Sequence, residues 1–96
     1  MGSNPGAPMD PVDKAVWEMS QAIAKTNRRV AVEKGTVHVE ARGIPGHYAV
    51  VYENPTGRWR VAYQRKAGRT KWEAVALVDN AEQVIAAIEK HQPSAN

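Results

Sequence analysis

From Arg58 to Lys66 the chain reads Arg-Trp-Arg-Val-Ala-Tyr-Gln-Arg-Lys, an alternation of apolar and polar residues with period two. That period belongs to a half-buried β-strand. Trp59, Val61 and Tyr63 fall on one face, and Arg58, Arg60, Ala62, Gln64 and Lys66 on the other. A strand with one apolar face needs strands beside it and a second layer over that face.

The available core residues point the same way. The chain has no phenylalanine, and Leu77 is its single leucine, so the interior has to be built from Val, Ala, Ile, Trp and Tyr. β-Branched and aromatic residues suit a pleated, half-buried surface better than a helical bundle. Further strands are expected where such residues sit between turns. Val30-Ala-Val32 and Val37-His-Val39 flank Glu-Lys-Gly-Thr like a hairpin. Gly43-Ile-Pro-Gly46 is a turn, His47 to Glu53 a strand, Asn54-Pro-Thr-Gly57 a turn, and Thr70 to Val78 another strand.

Helices are expected at both ends. Asp10 can cap free N–H groups, Pro11 suits the first helical position, and Asp13 favours the N-terminal dipole. Val12, Val16, Met19 and Ile23 then form one stripe, widened by Ala15 and Ala22. This helix ends near Asn27, or near Lys34 with Gly35 beyond it; the hairpin signal favours the shorter version. Asp79-Asn-Ala-Glu82 reads as a capping box for a second helix with Ala81, Val84, Ile85 and Ile88 on its apolar stripe, stopped by Pro93. The expected fold is α+β: an antiparallel four- to five-stranded sheet flanked by an N-terminal and a C-terminal helix. It forms one domain over residues 10–92, with disordered tails at 1–9 and 93–96.

Several function classes are disfavoured. Without cysteine there is no disulfide framework or thiolate metal site, which fits a reducing, cytoplasmic setting. No apolar run approaches the roughly 18 residues of a membrane span. His38, His47 and His91 lack the i, i+2 or i, i+4 spacing of a metal site. Ser20 and Ser94 lie outside any nucleophile elbow, and Gly43-Ile-Pro-Gly46 lacks the Lys and Ser/Thr of a phosphate loop. The expectation is a non-enzymatic protein with no cofactor.

What remains is charge. The net charge is +3, and six of the thirteen Lys and Arg residues lie between Arg58 and Lys71. Arg58, Arg60, Arg65, Lys66, Arg69 and Lys71 have no acidic residue among them along the chain between Glu53 and Glu73. A surface of one sign repels itself and gains when phosphates release condensed counterions. The leading expectation is therefore nucleic-acid binding by a basic β-hairpin, to DNA rather than RNA, since a two-stranded ribbon fits the major groove. The alternatives are a solvated sheet face, or a protein-interaction module (immunity, inhibitor or adaptor) docking an acidic partner. Trp17 lies off the stripe of the first helix, so it either packs under a loop or anchors a partner or a homodimer mate. Tyr48 and Tyr52 share a face, but Ala49 and Val51 opposite them are apolar too, so the buried side stays open. Trp59 and Tyr63 are expected to anchor the core against the second helix.

Trp59-Arg-Val-Ala-Tyr63, the glycine at Gly68, the strand to Val78 and the helix Asp79-Asn-Ala-Glu-Gln-Val-Ile-Ala-Ala-Ile88 carry a resemblance. Over Tyr48 to Ile88 this pattern is similar to the three-strand-plus-helix DNA-binding domains of tyrosine recombinase N-terminal arms and of AP2-type domains. The resemblance implies a sheet laid in the major groove, with Arg58, Arg60, Lys66 and Lys71 in the contact role. It has no counterpart for the N-terminal helix or the Val30 to Val39 strands, and Glu73 stands where those families are basic or neutral.

Overall fold

The computed structural model describes residues 10–66 and 71–92. The expected tails, Arg69 and the turn around Gly68 lie outside these residues. Helix α1 (Pro11–Ala24) starts as the sequence suggests, with the Asp10 carboxylate accepting from the Val12 N–H at 2.9 Å and Pro11 in the first turn. It takes the shorter of the two lengths. The Thr26 hydroxyl donates to the Ile23 carbonyl, the Thr26 N–H does the same, and Asn27 turns left-handed at φ 65°. Asn tolerates that conformation, and it sends the chain back as a strand.

Five strands follow: β1 (Val30–Glu33), β2 (Thr36–Glu40), β3 (His47–Glu53), β4 (Arg58–Gln64) and β5 (Glu73–Val78). They form one antiparallel meander in the order β1-β2-β3-β4-β5. Helix α2 (Ala81–Lys90) closes the chain. The fold is thus the α+β arrangement expected, with five strands. Both helices pack on the same face of the sheet, α1 over β1, β2 and β3, and α2 over β4 and β5. The opposite face has no helix over it among the described residues.

The core lies between helices and sheet. Val16, Met19 and Ile23 of α1 and Val84 and Ile88 of α2 meet Val37, Val39, Tyr48, Val50, Trp59, Val61 and Tyr63. Register settles the open question on β3. Tyr48 lies opposite Tyr63 and Tyr52 opposite Trp59, so both tyrosines point to the helices. Ala49 and Val51 look to the uncovered side. The Tyr52 and Trp59 rings meet edge to face at 4.9 Å, a favoured aromatic geometry.

Three local features depart from the sequence reading. The cap of α2 is Asn80, not Asp79: the extended Asn80 accepts from the Gln83 N–H at 2.9 Å, while the Gln83 side chain accepts from the Asp79 N–H at 2.7 Å. The box is the expected device moved one residue on. Strand β4 ends at Gln64 rather than Lys66, and β5 begins at Glu73. The third departure is a β-bulge. Val61 pairs with Ala76, but Ala62 pairs with Ala74, so Val75 is an extra residue in β5. Val75, Ala76 and Val78 all pack against the core, whereas Ala74 turns to the other face with Ala62.

Candidate nucleic-acid interface

The uncovered face displays the alternate residues of each strand. Its middle is shallow, because Ala49 pairs with Ala62 and Ala62 with Ala74. On one side of this strip stand Val51, Arg60 and Leu77. On the other side is a row of rings. His38 on β2 and His47 on β3 are diagonal neighbours, with ring centroids 5.5 Å apart. His47 meets Trp72, just before β5, at 5.3 Å and 81°, edge to face. Trp72 is 41% exposed, and the His38 side chain 29%. Glu33 steadies the outer end of the row, its carboxylate 2.7 Å from His38 Nε2.

The bulge is what puts Trp72 there. Strict alternation backward from Val78 places Trp72 on the core face with Ala76. The extra residue at Val75 reverses the parity, so Glu73 turns toward the helices and Trp72 away from them. Sequence periodicity alone had no means of finding this ring, because the only signal, an Ala-Val-Ala run, is equally an unbroken strand.

The five basic residues of the Arg58–Lys71 stretch that the structure describes do not form one patch. Arg58 and Arg60 are on the uncovered face, but both meet carboxylates that pairing brings across the sheet. Arg60 Nε lies 2.9 Å from Glu53 Oε2 and its Nη2 3.3 Å from Oε1. Arg58 Nε lies 3.0 Å from Asp79 Oδ1, and its Nη2 donates to the Leu77 carbonyl at 3.4 Å. The Arg60 hydrogen bond holds the Glu53 carboxyl below its usual range. Arg65, Lys66 and Lys71 are exposed at the opposite end of β4, the end that carries the ring row. Strand β4 separates Arg58 from that end by roughly 20 Å. Trp17 is 52% exposed on α1, on the helical side of the sheet and away from either group.

No protein-family model, no curated protein and no solved structure matches this chain.

His47 carries an electrostatic signature. Burial lowers its pKa, and the nearby His38 lowers it further. The lowered pKa favours the neutral ring near neutral pH. Because the folded value lies below the unfolded one, the unfolded chain takes up a proton first as pH falls. The stability tied to neutral His47 is present above about 6.5, the ordinary histidine value, and is lost as pH falls through the folded midpoint. An NMR titration of the His47 ring is expected to give a midpoint below that ordinary value. His38→Ala is expected to move it part of the way back. A midpoint at or above the ordinary value contradicts the burial of this ring.

A second polar chain lies on the helical side. Glu73 accepts from His91 Nε2 at 2.8 Å, leaving His91 Nδ1 to accept from the Tyr48 hydroxyl at 2.9 Å. Tyrosine, histidine and carboxylate in line are the parts of a proton relay, but Tyr48 is only 2% exposed and burial pushes its hydroxyl pKa up. That oxygen is held inside the fold by its bond to His91. The chain instead ties the end of α2 to β3 and β5. Among the described residues no group of three His, Asp or Glu side chains is placed to hold a metal ion. No helix there is long and apolar enough to cross a membrane.

Proposed function

We propose that this chain is a non-enzymatic protein that binds single-stranded nucleic acid, DNA before RNA, on its uncovered sheet face. The observation that carries this reading is the ring row His38–His47–Trp72 at the end of the sheet where Lys66 and Lys71 are exposed. Single strands are held by rings on which bases stack and by cations that track the phosphates. Both elements sit here at one end of one rigid sheet. The paired Arg58 and Arg60 weigh against the alternative centre at the start of the hairpin, since phosphates there compete with carboxylates already in place.

This moves the contact surface along the hairpin and changes the form of the ligand. Stacking on Trp72 needs an unpaired base, and a duplex keeps its bases inside. The test is a fluorescence-anisotropy titration with a labelled oligo-dT and with a duplex of the same length, at two salt concentrations. The expected result is tighter binding of the single strand, weakening as salt rises with a slope of roughly 0.7 per phosphate engaged. Equal binding of both forms indicates charge alone and removes the stacking platform. No binding at low salt leaves an acidic protein as the partner that these cations serve.

A further inference from the structure

We infer that β1 is a self-pairing edge: two copies of this chain join β1 to β1 in antiparallel fashion and form one continuous sheet across a two-fold axis. The inference is independent of nucleic-acid binding.

The two sheet edges differ. β5 is interrupted by its bulge, a device that twists an edge away from intruders. β1 has no bulge, no proline and no lysine, and no strand pairs with its outer side among the described residues. Its backbone orientation is fixed by β2. The Glu40 N–H donates to the Arg29 carbonyl, and the register pairs Ala31 with His38 and Glu33 with Thr36. Arg29, Ala31 and Glu33 thus turn their N–H and C=O groups toward β2, and Val30 and Val32 turn theirs outward.

A symmetric pairing must match residues of one face with one another. The register that places Ala31 on the axis opposes Val30 to Val32 of the second copy, and the axis repeats that pair. Each such pair exchanges both its N–H···O bonds, because the groups that point outward belong to those residues. Valine meets valine on the helical side, covering Val32, which is 51% exposed. Arg29 meets Glu33 of the second copy at both ends of the ribbon, so the charges are complementary as well. Neighbouring registers lose these matches: centring on Val30 puts Arg29 against Ala31, and centring on Val32 puts Glu33 against Ala31.

The helix above this edge fits the same axis. Ala15, Glu18 and Met19 line a groove with Tyr52, Trp59 and Ala81, so that flank of α1 looks to α2. Trp17 is on the other flank at 100° per residue, the side toward β1. α1 packs on β1, β2 and β3, so the axis brings the two copies of α1 side by side on the same face of the joined sheet. Trp17 lies in that seam. The pair of edges is short, so the dimer is at the small, weak end of specific interfaces.

The test is sedimentation equilibrium of the full chain, without nucleic acid, from micromolar to millimolar concentration. A monomer–dimer equilibrium is expected. Arg29→Glu alone and Glu33→Arg alone are each expected to weaken it roughly tenfold, since like charges then oppose each other at both ends. The double reversal Arg29→Glu with Glu33→Arg is expected to restore it. Val32→Pro removes an outward N–H that β2 does not use and is expected to abolish the dimer, with circular dichroism unchanged. A monomer at every concentration overturns the inference. So does a dimer that ignores both the charge reversals and Val32→Pro.

Discussion

Gly46→Ala is expected to destabilise the fold by about 3 kcal/mol or more, the largest effect of a methyl group added at any of the described glycines. Two causes act together. Gly46 has φ +100°, where an L side chain is strained whatever space surrounds it. Its Cβ would also lie 2.3 Å from the Gln64 carbonyl oxygen and under 3 Å from the Arg65 backbone. Neither partner yields easily. Gln64 pairs with His47, and the Tyr63 hydroxyl donates to the Pro45 carbonyl, so the turn is clamped onto the end of β4. Gly43→Ala is the control. Gly43 also has positive φ, +80°, but nothing lies within 4 Å of its Cβ. That substitution is expected to cost only the conformational strain, about 1 kcal/mol. Urea midpoints of the two variants measure the difference, and equal losses would show that close approach to β4 is not the cause.

Trp72→Ala is expected to weaken single-strand binding by roughly 5- to 150-fold, the equivalent of about 1–3 kcal/mol for one lost base stack. The ring is 41% exposed and does not belong to the buried core cluster. Adding His47→Ala should give less than the sum of the two losses, because the rings touch at 5.3 Å and support each other. Lys66→Ala with Lys71→Ala should act differently, lowering the salt dependence for every sequence alike. Arg58→Ala with Arg60→Ala should change binding little, since both side chains are engaged by Asp79 and Glu53. A larger loss from the arginine pair than from Trp72 would return the contact surface to the start of the hairpin.

The sequence was most informative where one periodicity ran without interruption. The α1 stripe of Val16, Met19 and Ile23 is buried as expected, and Trp59, Val61 and Tyr63 all face the core. The Val30–Val39 hairpin and the Gly43–Gly46 turn also stand where turn chemistry put them. Three things depended on pairing and were invisible along the chain. The Arg58–Lys71 stretch has no acidic residue inside it, yet register brings Glu53 against Arg60 and leads Asp79 to Arg58. Linear charge density overstated the free positive surface for that reason. The bulge at Val75 was likewise hidden, and with it the outward turn of Trp72. His38 and His47 were visible as lone histidines. Only the diagonal β2–β3 register makes them neighbours.

The three tryptophans stand at separate places in the fold and report separately on where a strand binds. Trp72 stands in the ring row, Trp59 is 5% exposed in the core, and Trp17 is on α1. Their indole N–H signals in a nitrogen-15 correlation spectrum, followed during titration with oligo-dT, show which surface the strand occupies. The expected result is a progressive shift of the Trp72 signal, with His47 and Lys66 backbone signals moving and those of Trp17 and Trp59 still. Movement of Trp17, or of Arg58 and Arg60, while Trp72 stays in place would contradict binding on the ring row.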